Sequence, residues 1–275
     1  MTIVVLWYRQ KFGQLWCAAD SRLSSGASTL TDSGTKILPV PVVCRHQESG
    51  SRYVTHTHFT LGFAFAGSSL TALNAHAIAS ACTQNLASGQ GYVKPPSVEA
   101  VADLFKSVAE HTIRDAAWRL PAPDEAGQRY FFEAMIFGYC RVAKSFKAFA
   151  IVPNITSGSF EMMKGELILG DHGYHLMGSG ANDFVLLTEE MHMSGVETGV
   201  MISLAEMLKR QNRTDVGGHF QIGISDRHGF ELRPILNTLP GPLDRRITFL
   251  GMDVTSLPKI DNYSVGYAAI SPNVL

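Results

Sequence analysis

The chain has 275 residues, 45% of them hydrophobic, and a formal net charge of −1. That length and apolar content suffice for one large core, or two domains at most. The nearly balanced charge gives no electrostatic case for a nucleic-acid partner or an anionic membrane surface.

Thr2 stands directly behind Met1. Threonine is small enough for an aminopeptidase to remove the methionine before it, and the product would carry nucleophile and base on one residue. The hydroxyl attacks, and the α-amine, with an ordinary pKa of about 7.7–8.0, takes its proton. Any chain can begin Met-Thr, so the following residues have to carry the argument. Ile3 to Tyr8 is apolar and β-branched, as in a buried strand. A polar interval then reverses the chain at Gly13 into a second apolar run, Leu15 to Ala19, completing a hairpin. The opening apolar run is short and ends at Arg9, so neither a signal peptide nor a spanning helix is expected. The four cysteines, Cys17, Cys44, Cys82 and Cys140, sit in apolar contexts and read as reduced core thiols, which points to the cytoplasm.

Lys36 to Cys44 reads as a strand interrupted by Pro39 and Pro41, fit for a sheet edge. Arg45 to Thr57 is polar and predicts a loop, and Phe59 to Gly67 predicts a strand. Ser68 and Ser69 open a helix running to about Leu86, with Leu70, Leu73, Ala77, Ile78 and Ala81 at helical spacing as the predicted buried face. Ser97 is the N-cap of a second helix that should stop before Pro121, and Pro121 to Asp124 is a turn. Phe131 to Cys140 and Phe146 to Pro153 predict a pair of strands. Met162 to Gly170 and Tyr174 to Met177 predict a hairpin turning at Asp171-His172-Gly173 and delivering Gly178-Ser179-Gly180. Two helices, Asn182 to Met193 and Glu197 to Arg210, precede a strand over His219 to Ile224.

Ala18-Ala19-Asp20-Ser21-Arg22, then Gly26, and Lys36 before a short apolar strand resemble the amino-terminal segment of proteasome β-type subunits, the threonine-nucleophile branch of the N-terminal-nucleophile hydrolases. The Asp20-to-Lys36 spacing matches the family's, although the hairpin before Asp20 is slightly longer. Ala66-Gly67-Ser68 resembles the family's strand-to-helix junction, and Gly178-Ser179-Gly180 its Gly-Ser-Gly. The likeness covers residues 2 to 233 and leaves 234 to 275 as an extension that packs on the domain or on a neighbouring subunit.

The resemblance implies an α+β fold, a four-layer αββα sandwich, and a peptidase or amide hydrolase with no cofactor. Its implied catalytic residues are Thr2 as nucleophile, Asp20 and Lys36 flanking it, Gly67 as oxyanion donor, and Ser179 relaying the amine's proton. It implies Phe65, Leu23 and Ser69 as substrate-binding residues. Peptide or protein substrates, self-association into rings and an unidentified ATPase partner follow from the same likeness. One departure stands out: where the family has an Asp and a Ser before its Gly-Gly, this chain has Arg213 and Val216, so Asp215 is the available substitute. That departure keeps open a catalytically inactive ring scaffold or binding module. Asp20 with Arg22 or Lys36 could also be only a structural ion pair. His56 with His58, and His172 with His175, lack the carboxylate spacing of a metallohydrolase, so no metal site is expected.

Overall fold

The computed structural model describes residues 2–25, 28–119, 129–156, 159–170, 173–196, 199–210, 214–238 and 245–271. Expectations for Met1, Gly26, the turn over 121–124, Asp171, His172, Glu197 and Arg213 lie outside the described residues. The chain opens with β1 (Val4–Arg9), a short 3-10 turn and β2 (Gln14–Ala19), with Gly13 in the left-handed conformation (φ 58°) that this reversal requires. Then come β3 (Leu23–Ser25), β4 (Ser28–Thr31), β5 (Ile37–Ser49), β6 (Arg52–Gly67), α1 (Ser69–Thr83), β7 (Leu86–Ser88) and α2 (Val98–Arg119). The strands β8 (Phe132–Cys140), β9 (Ser145–Thr156), β10 (Ser159–Glu166) and β11 (Tyr174–Met177) lead to α3 (Ala181–Met193) and α4 (Val200–Arg210). Last are β12 (Gln221–Ser225), β13 (Phe230–Arg233), β14 (Ile235–Thr238), β15 (Arg245–Phe249) and β16 (Met252–Asp253).

Two large sheets organise these elements, one ordered β11-β1-β2-β12-β13 and the other β10-β9-β8-β6-β5-β7. Val4, Leu6 and Cys17 of the first meet Ala64, Met135 and Phe137 of the second in one buried cluster. The opposite face of the six-stranded sheet packs on α1 and α2 through Phe63, Ala75, Ala102 and Phe105. That of the five-stranded sheet packs on α3 and α4 through Ile3, Val5, Phe184 and Leu204. Ile235 and Ile270, which bridge to each other, join the same cluster, so the carboxy-terminal segment is tied to this face.

The expected four-layer αββα sandwich is corrected by this arrangement. The chain is mostly β, with one sheet curled as a half-barrel and only four α-helices among the described residues. Two features absent from the expectation shift the balance towards strand. Residues 45–57 continue β5 and β6 as a long antiparallel ribbon instead of forming a loop, because ladder hydrogen bonds satisfy the backbone whether or not the side chains are buried. The carboxy-terminal segment adds the separate sheet β14-β15-β16.

Three local expectations are also corrected. The 162–177 hairpin does not form: β10 pairs with β9, and β11 pairs with β1 in the other sheet. The predicted buried face of α1 points outward, with Leu70 62% and Ile78 42% exposed, while Ala72, Ala75 and Ala79 are buried. Small side chains bring this helix close to β5, where His76 Nε2 lies 2.9 Å from the Pro39 carbonyl and Thr83 Oγ1 donates to that of Pro41 at 2.7 Å. Cys82 is exposed on α1, whereas the other three cysteines are buried. The prolines of β5 do lie where it has no β7 partner, since β7 pairs only with Cys44 to His46. Among the described residues no helix is long and apolar enough to cross a membrane.

Candidate functional site

Strand register brings distant residues to one end of both sheets. Val4 pairs with Ala19 on one side and Met177 on the other, so Thr2 lies between Asp20 and the Gly178 turn. Gln221 pairs with Ala19 from the far side of β2, which brings residues 215–217 beside Asp20. In the six-stranded sheet, Lys36 precedes β5, Gly67 ends β6 and pairs with Phe132, and Phe65 N–H donates to the Lys36 carbonyl at 3.1 Å. All six expected catalytic residues, Thr2, Asp20, Lys36, Gly67, Ser179 and Asp215, therefore come from this end.

At its centre lies a fully buried ion pair. Lys36 Nζ is 2.6 Å from Asp20 Oδ1, and neither side chain has accessible surface. Burial pushes the Lys36 ammonium below its ordinary pKa, while Asp20 and then Asp215 pull it back up. Asp20 Oδ1 also accepts the Ile3 N–H at 3.0 Å, so the ammonium and the peptide group following Thr2 share one oxygen. Its other oxygen accepts the N–H groups of Gly217 at 3.1 Å and Arg22 at 3.3 Å. Arg22 is not the ion-pair partner of Asp20: its guanidinium grips Asp32, Nε to Oδ1 at 2.6 Å and Nη2 to Oδ2 at 3.2 Å.

Ser179 approaches Thr2 through the turn between β11 and α3. Gly180 N–H donates to the Thr2 carbonyl at 3.2 Å. Gly178 has φ +92°, and a Cβ there would fall 2.1 Å from the Thr2 carbonyl oxygen, so glycine permits both the conformation and the contact. Ser179 Oγ donates to Asp215 Oδ2 at 2.9 Å, giving the displaced carboxylate a direct place in the cluster. Val216 is buried against Ile3 and Gly180, where its methyl groups pack in the apolar cluster. Thr2 itself is 3% exposed.

A cleft of about 400 Å³ opens beside this cluster, lined by Gly67, Glu133, Gly178 and Ser179 among others. Gly67, with φ +109°, is closed in by the Phe131 carbonyl, 2.6 Å from where a Cβ would sit. A larger cavity, about 610 Å³, lies at the other end of β1 around Trp7, Tyr8 and Phe184; the residues gathered around Thr2 make the smaller cleft the better site.

The expected substrate-binding residues are not brought to it. Phe65 is buried with Phe63 between the sheet and the helices, 6.0 Å between ring centroids. Its place in the strand alternation sends the side chain away from the cleft, which corrects its assignment. Leu23 packs over Gly34, and Ser69 begins α1; neither lines the cleft.

Two residues at this end were missed in sequence. Gln221 is buried and joins the segment leading into β5 to β12: its Oε1 accepts the Lys36 N–H at 3.1 Å, and its Nε2 donates to the Gly34 carbonyl at 2.6 Å. Glu133 accepts the Gly178 N–H at 2.7 Å, and burial raises its pKa, opposed by that bond. A carboxylate interrupting the apolar alternation of a strand was the available signal for Glu133. The His46 and His56 rings lie 5.5 Å apart, tilted at 58°, and among the described residues no group of three or more His, Cys, Asp or Glu side chains is arranged to hold a metal. No protein-family model matches the chain and no curated protein matches it, so the likeness to proteasome β-type subunits rests on the residues themselves.

Proposed function

We propose that this chain is a threonine-nucleophile amide hydrolase acting on peptides or proteins, related in mechanism to proteasome β-type subunits. The observation that supports this reading most is the buried Asp20–Lys36 pair sharing an oxygen with the peptide group that follows Thr2. A fully buried lysine is costly unless its charge is used or compensated, and this one bonds the same carboxylate oxygen as the peptide group following Thr2, the residue that removal of Met1 would expose as an amino-terminal nucleophile.

In the reaction, Thr2 Oγ forms a bond to the carbonyl carbon while the Thr2 α-amine takes the hydroxyl proton. The resulting oxyanion is held by the Gly67 N–H, a type of donor whose loss costs about 2.7–4 kcal/mol of transition-state stabilisation. Collapse breaks the C–N bond, and the α-ammonium returns its proton to the departing amine. Water then attacks the Thr2 ester carbonyl, the amine taking its proton and passing it to Oγ as the Oγ–C bond breaks, which releases the acid and restores the threonine hydroxyl. The Lys36 ammonium favours the developing negative charge on Oγ, and the Ser179–Asp215 pair orients the amine and relays its proton. The same reading carries ring assembly, an ATPase partner and a cytoplasmic address, the last supported by four cysteines that are all unpaired.

A second reading, a catalytically silent ring scaffold, is favoured by Val216, whose side chain supplies no hydroxyl where the family has a serine. Protein made in its native host separates the two. The hydrolase reading expects an intact mass lacking Met1, and covalent capture by an inhibitor that requires both the threonine hydroxyl and its free amine. Thr2→Ala should abolish hydrolysis with assembly intact. Retained Met1, or hydrolysis surviving Thr2→Ala, refutes it.

A further inference from the structure

We propose that Glu133 makes the cleft selective for substrates carrying a cationic side chain next to the amide being cleaved. This rests on the hydrolase reading but concerns the cleft wall, not the nucleophile.

Glu133 lies on β8 directly opposite Ala66. It shares the strand face of Met135 and Phe137, the face turned towards the other large sheet. There it enters the cleft that also receives Gly67 and Ser179, and among the described residues no other that lines it is ionisable. The Gly178 N–H holds its Oε1 at 2.7 Å, fixing the carboxylate beside the turn that packs on Thr2. Among the described residues no donor reaches Oε2 and no cation pairs with the group.

Phe131, Val152 and Pro153 give the rest of the wall a hydrocarbon character. A carboxylate in such a wall has lost much of its hydration without gaining a counter-charge, and burial accordingly raises its pKa. An ammonium or guanidinium on the substrate restores that interaction. A neutral side chain leaves the carboxylate unpaired, and an acidic one is repelled. The selectivity arises within the cleft itself, since Lys36 and Asp20 satisfy each other and neither lines it.

The test uses full-length protein processed at Met1 and internally quenched peptides carrying Lys, norleucine or Glu on either side of the scissile bond. Equilibrium binding of the same peptides to the Thr2→Ala protein gives a second readout that needs no turnover. Lys should exceed norleucine by about tenfold or more in kcat/KM and in affinity, with Glu last. Glu133→Gln keeps an oxygen for the Gly178 N–H and should compress the preference below about threefold. Cleavage or binding without preference for Lys, or a preference unchanged by Glu133→Gln, overturns the selectivity and leaves the hydrolase reading standing. Lys-selective binding without cleavage of any peptide supports the cleft's charge preference and removes the hydrolase reading. Neither cleavage nor binding overturns both.

Discussion

The buried pair at Asp20 makes an asymmetric prediction. Asp20 has four partners: Lys36 Nζ and the Ile3 N–H on one oxygen, and the Gly217 and Arg22 N–H groups on the other. Lys36 Nζ, by contrast, has its hydrogen bond to Asp20. In Asp20→Asn the amide oxygen can keep two of these donors, but the amide nitrogen then faces two N–H groups, donor against donor. Lys36 stays buried with its nearest counter-charge gone, a situation that costs about 3–5 kcal/mol. Lys36→Met leaves the Asp20 carboxylate with three backbone donors, so its cost should be about 1–3 kcal/mol. At roughly 2–4 °C per kcal/mol for a chain this long, Asp20→Asn should melt about 4–8 °C below Lys36→Met, although both lose hydrolysis. The pH dependence follows with its sign. Burial places the folded pKa of Lys36 below its ordinary 10.5, so between those values the unfolded chain binds more protons and stability rises with pH. Asp20→Asn removes the leading influence that raises this pKa and widens the window downward. Its stability should therefore climb more steeply from neutral to alkaline pH than that of the wild type, as read by thermal melts across that range. A Lys36→Met protein that melts at or below Asp20→Asn, or equal pH slopes for Asp20→Asn and the wild type, would refute the reasoning.

Two further predictions concern the cleft. Gly178→Ala would set a Cβ 2.1 Å from the Thr2 carbonyl oxygen at φ +92°. Forcing that conformation costs about 1–3 kcal/mol, and displacing Thr2 by an ångström should cut hydrolysis about a hundredfold. Gly165→Ala, with nothing within 4 Å of its Cβ position, is the control, and similar melting and rates for the two variants would contradict the contact. Glu133 has a folded pKa above its ordinary 4.5, so the folded chain binds more protons in that window and stability is lost as pH rises through it. The Tm advantage of Glu133→Gln over the wild type should therefore grow from pH 4.5 upward until the folded pKa is passed, and a flat or falling difference sinks the assignment.

The parts of the fold legible in sequence are those where local chemistry has one solution. Two apolar runs around Gly13 form a hairpin, and prolines at 39 and 41 belong where β5 is paired with β6 alone and lacks a neighbour on its β7 side. The outward face of α1 shows where periodicity misleads: Leu70 and Ile78 have the spacing of a core stripe, but a helix seated closely on a strand needs Ala72, Ala75 and Ala79 against it. Which stripe wins is decided by His76 and Thr83 reaching the carbonyls of β5, a long-range fact that no window of sequence contains. Within the site, the contrast between Lys36 and Glu133 has the same origin. Lys36 stands before a strand so apolar that its ammonium, once buried, requires a carboxylate, and Asp20 directly follows the opening hairpin. Glu133 instead accepts from Gly178, a partner supplied by the turn that follows a strand of the other sheet. Its residue type announces a buried charge without saying what it meets, so the Asp20–Lys36 pair near Thr2 could be read from the chain while the cleft wall required the fold.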